Sequence, residues 1–173
     1  MNSTIYHNLL RFLGLVVFQG LVFKNIGENW DGFPYLHIFI YPVFLLLLPI
    51  NIPSPLTLAL GFLLGISVDF FYNTLGVHAS ASVCSAFLRP YVLRFLEPRN
   101  GYNINYSPTI ARVGAGWFVR YASLLLTIHL FFYFSVEAFT FVYIADILLK
   151  TLVSFVISLV FVLIYQLIFN PLE

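Results

Sequence analysis

The sequence predicts an all-α fold: a single transmembrane domain, residues 1–173, built as a bundle of about six membrane-spanning helices. Three observations carry this. Hydrophobic residues make up 61% of the chain and charged residues only 9%, against about 25% charged in soluble domains. Residues 32–68, 70–88, 121–136 and 151–172 contain no Asp, Glu, Lys or Arg. Short polar segments rich in Pro, Gly and Asn separate these runs. Such a chain is not a soluble enzyme, a disordered tail or a disulfide scaffold. A net charge of +1 offers no basic patch for nucleic acid, and the single Cys84 cannot form an internal disulfide.

Taken in order, the first span covers about 6–23. Arg11 ahead of an apolar run resembles a signal peptide, but Lys24, Asn25, Ile26, Gly27 and Glu28 follow in place of a cleavage site, so the run reads as a retained helix. A polar loop with Glu28, Asn29 and Asp31 leads to a second, short span at 35–49, interrupted by Pro42. Pro49, Asn51, Pro53 and Pro55 make a tight connection. The third span runs over 56–72 to a turn at Asn73–Gly76, and the fourth over 77–95. The segment 97–116, with Asn100, Gly101, Asn103, Asn105 and Pro108, is the one substantial loop; the fifth and sixth spans cover 117–136 and 144–169.

Six spans put both termini on one face. Arg11, Arg89, Arg94, Arg99, Arg112 and Arg120 gather there, and Lys24 and Lys150 lie opposite. The positive-inside rule therefore predicts cytoplasmic termini and a cytoplasmic 97–116 loop. Arg89, Arg94, Arg99 and Arg112 form a basic rim expected to touch anionic headgroups or a cytoplasmic partner. Tyr91, Tyr102, Tyr106 and Trp117 on that side, and Trp30 and Tyr35 on the other, suit the headgroup zone.

Within the spans, Gly61, Gly65 and Asp69 recur every fourth residue and share one helical stripe. Two glycines so spaced let a second backbone approach closely, either within the bundle or from a docking partner. The next span returns antiparallel, which places His78 and Ser80 near Asp69 and Arg89 too far along to reach it. On this reading Asn at 69 is tolerated and Leu is not. The small residues from Ala79 to Ala86 suit close packing, with Cys84 among them. Asp146 and Lys150, four apart, are expected to form an internal ion pair. His129 stands alone in its span, where hydrogen-bonded packing is the plain expectation. No His-x-x-x-His, acid cluster, Gly-rich loop or nucleophile elbow is present, so no catalytic residue, metal site or cofactor is expected.

The segment 53–94 resembles the rod shape-determining protein MreD family on Gly61, Gly65, Asp69, Leu75, Gly76, His78 and Arg89. The resemblance implies a non-enzymatic scaffold of the bacterial lateral cell-wall elongation machinery in the inner membrane. Its partners would be MreC and, through it or directly, MreB, RodA and a class B penicillin-binding transpeptidase, with membrane lipids around it. Gly61, Gly65, Asp69, Gly76 and His78 would then serve helix packing or partner docking. The family is also similar in architecture to the substrate-binding components of energy-coupling-factor transporters, which makes a vitamin or small-molecule transporter component the alternative. Those components carry an Ala-x-x-x-Ala pair in the first span, where this chain has Gly14 and Gly20. Reporter fusions after Asn100 and at the C-terminus are expected to show cytoplasmic activity; an external signal at either overturns the orientation.

Overall fold

A computed structural model of the chain describes residues 2–28, 35–99, 101–103 and 106–169. The loop residues Asn29, Trp30, Asp31, Asn100 and Asn105 lie outside them. Every described element is helical: α1 (Asn2–Phe18), a π-helical turn (Gln19–Phe23), α2 (Lys24–Glu28), α3 (Val43–Leu46), α4 (Ser54–Tyr72), α5 (Val77–Phe95), α6 (Ile110–Val113), α7 (Ala115–Ala138) and α8 (Ile144–Phe169). Among the described residues, four helical stretches are long and apolar enough to cross a membrane: Tyr6–Ile26, α4, α7 and α8. This is an all-α membrane protein. The helix α5 is as long as α4 but less apolar, because His78, Ser82, Ser85 and Arg89 occupy one of its faces. It lies between α4 and α7, and α7 packs in turn along α8.

The expected second span is not a helix. Residues 36–40 are non-helical, followed by the four-residue α3. Pro42 explains the break, since proline lacks an N–H and drives the preceding residue out of the α region. The run Leu36–Tyr41 is also rich in β-branched and aromatic residues, which favour extended backbone. This segment is the centre of the molecule: Tyr41, Val43 and Leu47 are fully buried, and Phe39, Phe44, Leu45 and Leu46 nearly so.

A non-helical segment inside an apolar bundle must find partners for its own N–H and C=O groups. They come from side chains on two sides. On one side the Gln19 amide donates to the Ile38 carbonyl at 2.9 Å and accepts from the Ile40 and Tyr41 N–H groups at 2.9 and 3.4 Å. On the other, the Ser154 hydroxyl accepts from the His37 N–H at 3.2 Å and donates to the Tyr35 carbonyl, while Ser158 accepts from the Phe39 N–H at 2.9 Å. From His37 to Ile40, residues thus turn alternately to opposite flanks, as along a β-strand.

Gln19 reaches the segment because it opens the π-helical turn, where the Lys24 N–H bonds back to the Gln19 carbonyl. The extra residue in that turn interrupts the α1 register and coincides with burial of Gln19, Gly20 and Phe23. Gly20 is needed there, because a Cβ would lie 2.8 Å from the Phe71 Cβ and closer still to its ring.

Replacing Gln19 by Leu strands two or more backbone groups, each at a cost of about 1–3 kcal/mol. Gln19→Leu is therefore expected to lower the melting temperature in detergent well below that of Val17→Leu, a change at an exposed position. Equal melting temperatures would contradict this role for Gln19.

Candidate functional site

The polar interior is organised by α5. His78, Ser82, Ser85 and Arg89 recur at helical spacing on one face, and all four are buried. The helix starts at Gly76, whose φ of 84° suits glycine and which has no side chain to cap the first turn. Asp69 of α4 supplies the cap from outside. One carboxylate oxygen accepts from the His78 N–H at 3.0 Å and the other from the Ala79 N–H at 3.0 Å. These are two of the amides that every helix start leaves without an intrahelical partner, and a carboxylate also suits the positive end of the helix dipole. The Thr74 hydroxyl donates to the first oxygen at 2.5 Å, and His78 Nδ1 lies 3.1 Å from it.

The glycines let this happen. A Cβ on Gly65 would sit 2.5 Å from the His78 carbonyl oxygen and 2.6 Å from the Ala79 nitrogen, which are backbone atoms that cannot swing aside. At Gly61 it would meet Ala86 Cβ and the Ser82 carbonyl oxygen, each at 3.1 Å. The predicted stripe of Gly61, Gly65 and Asp69 is thus filled by α5 of the same chain. His78 is one of the two expected neighbours of Asp69. Ser80 is not, since its hydroxyl bonds back to the Val77 carbonyl. Thr74 and Ala79 complete the set.

Further along α5, the His78 ring lies among Tyr72, Tyr133, Tyr41 and Phe39, with centroids 4.7, 4.7, 5.8 and 6.1 Å away. His129 of α7 is not isolated. Its Nε2 is 2.6 Å from the Tyr41 hydroxyl and its Nδ1 is 2.9 Å from the Ser85 hydroxyl. Ser85 gives its own hydrogen to the Ala81 carbonyl. The arrangement therefore assigns a proton to Nδ1 of His129 and makes Nε2 the acceptor from Tyr41.

Arg89 departs from the expected basic rim. It is 2% exposed. Its guanidinium donates to the Leu48 carbonyl, to the Pro49 carbonyl at 3.4 Å and to the Tyr121 hydroxyl at 3.0 Å; Tyr121 passes its own hydrogen to the Leu46 carbonyl. Arg89 closes the far end of the buried segment. The five positions from Arg89 to Arg94 turn the helix by about 140°, so the two face opposite ways despite their proximity in sequence. Arg94, Arg99 and Arg112 are exposed, with Arg112 over the Tyr106 ring at 4.2 Å. The loop beside them is tied down by Tyr102, which donates to the Leu93 carbonyl, and by Trp117, which donates to the Leu96 carbonyl, both at 2.7 Å. Burial pushes the Tyr102 phenol up to about 12.

The expected Asp146–Lys150 pair does not form. Lys150 instead meets Glu137 at 3.1 Å, across the turn between α7 and α8. Asp146 sits exposed in the first turn of α8. An acid at the end of the preceding helix competes successfully with one on the same helix, and a partly exposed pair of this kind contributes about 0–1 kcal/mol.

Gln19, Tyr41, Thr74, Tyr121, Ser154 and Ser158 belong to no motif that sequence reasoning singles out. Their shared signal is a polar group inside an otherwise apolar run. Among the described residues, no group of three or more His, Cys, Asp or Glu converges as a metal site would require. The arrangement fastens backbone to backbone. Comparison with protein-family models, with curated proteins and with solved structures gives no match.

The geometry revises the expectation for residue 69. Both carboxylate oxygens accept backbone N–H groups, so an Asn amide would turn its NH2 towards one of these donors. Asp69→Asn is expected to lower the detergent melting temperature measurably, Asp69→Leu to lower it further, and Gly65→Ala to destabilise although Ala is the better helix former. A wild-type melting temperature for Gly65→Ala would refute the close crossing.

Proposed function

We propose that this protein is a non-enzymatic scaffold of the bacterial inner membrane, of the kind the MreD resemblance implies, and that it docks the single membrane helix of an MreC-like partner. The reading includes six passes with termini and the 97–116 loop in the cytoplasm. On it, α5 makes the fourth pass with its polar face shielded, and the buried 35–49 segment makes the second. Non-helical backbone at membrane depth is tolerated where protein encloses it.

One observation carries the reading. An apolar groove of about 650 Å³ runs along the outside of the α4–α5 crossing, walled by Leu58, Phe62 and Ile66 of α4, Val83 and Phe87 of α5, and Phe132 of α7. Ala79, Ser80 and Cys84 also line it. Small residues beneath flanking phenyl rings let a helix backbone come near, and association of membrane helices depends on such packing. The interior supports the same reading. Asp69, Arg89, His129 and Gln19 are each bonded to another segment of the chain, and among the described residues none lines one of the grooves. Docking accordingly moves from the glycine stripe, which α5 fills, to the outer side of the same helix pair.

A photocrosslinking residue at Val83 is expected to capture the MreC-like protein in native membranes, whereas one at Leu152, exposed on α8, does not. Val83→Trp should reduce recovery of that partner several-fold at unchanged abundance. Equal capture from both positions, or recovery of an ATPase-driven transporter module instead, would overturn the proposal.

A further inference from the structure

A second groove, of about 420 Å³, opens between α1 and α8. On α1 it is lined by His7, Leu10, Arg11, Gly14 and Phe18, and on α8 by Tyr165 and Phe169. His7, Arg11, Gly14 and Phe18 follow helical spacing and lie on one face. The two glycine environments in this protein contrast sharply. At Gly65 the missing side chain admits a neighbouring backbone, whereas a Cβ on Gly14 would meet nothing within 4 Å. Glycine in a helix interior is unfavourable relative to Ala by about 1 kcal/mol. Among the described residues no contact makes use of it; what it leaves is a hollow.

The groove is polar at one end. Arg11 and His7 lie one turn apart, and among the described residues no Asp or Glu lines the cavity. Among the described residues Arg11 has one long hydrogen bond, to Asn8 Oδ1 at 3.4 Å, out of the five donors of a guanidinium. Helical side chains lean towards the N-terminus, which carries this cation towards the membrane surface where α1 begins. From His7 to Phe18 the groove follows about 16 Å of helix, roughly half of a hydrocarbon core about 30 Å thick. That is the depth of one leaflet.

We propose that this groove binds an anionic phospholipid of the leaflet on the side of the chain termini. Its phosphate lies at Arg11 and His7, and an acyl chain runs past Gly14 between Phe18 and Phe169. A cationic mouth over an apolar channel matches a headgroup above its chain. This inference goes beyond the scaffold reading and does not depend on it.

The test reconstitutes the full chain into vesicles of equal phosphatidylcholine and phosphatidylglycerol, extracts it in mild detergent and counts retained lipids by native mass spectrometry. The wild type is expected to keep one phosphatidylglycerol in preference to phosphatidylcholine. Arg11→Gln should cut that preference about fivefold, the value of one basic residue at an anionic surface. Gly14→Leu fills the hollow and should abolish retention of either lipid, with an unchanged melting temperature because the added side chain meets open space. Retention of both lipids in the ratio supplied, or wild-type retention by Gly14→Leu, would overturn the proposal. So would a two-copy species lost in Gly14→Leu, which would make the groove a contact between copies of this chain.

Discussion

The structure depends on the backbone of residues 35–49, which crosses an apolar interior without a helix to satisfy it. Each unpartnered amide or carbonyl in such surroundings costs several kcal/mol. The polar side chains of the bundle are distributed accordingly. Gln19 serves one flank of the segment, Ser154 and Ser158 the other, and Arg89 with Tyr121 the carbonyls at its end. Tyr41 anchors the middle through its hydroxyl to His129. These bonds tie the surrounding helices to the segment in addition to the apolar packing.

The same demand explains why α4 and α5 meet so closely. A helix beginning at a glycine has no cap of its own, and in a membrane water is not there to replace one. Asp69 can serve only if the two backbones come within hydrogen-bond reach, and Gly65 and Gly61 remove the side chains that would hold them apart. Asp69 and the two glycines form one device, and the stripe cannot also serve as a free docking face. This turns attention to the surfaces that α4 and α5, and separately α1 and α8, present outwards.

Much of this is legible in the sequence. Spacing alone brings Gly61, Gly65 and Asp69 to one face, matches His78 to Asp69 and keeps Arg89 away from it. The third, fifth and sixth spans agree with α4, α7 and α8 to within a few residues; the fourth agrees with α5 as a helix only, since α5 is not among the stretches apolar enough to cross a membrane. The second span is misread when apolar content alone is equated with helix, because Pro42 and the β-branched run before it argue for extended backbone. Distance along the chain puts Arg89 in a charged rim, although its angular position matches the buried His78, Ser82 and Ser85. Spacing within one helix pairs Lys150 with Asp146 and says nothing of an acid arriving from the previous helix. The π-helical turn leaves no periodic signature in a uniformly apolar run, so the inward turn of Gln19 has no sequence precursor.

The serine bonds to the central segment also carry a temporal consequence. Ser154 reaches the His37 amide from 117 residues downstream, and Ser158 reaches the Phe39 amide from 119. Ribosomes deliver the N-terminal part first, so the segment emerges with Gln19 already made and its α8 partners not yet synthesised. Until α8 arrives, one flank of that backbone must be held by water, by the insertion machinery or at the bilayer surface. Arrival of α8 is therefore the step that allows the second segment to settle, long after its own residues have been made.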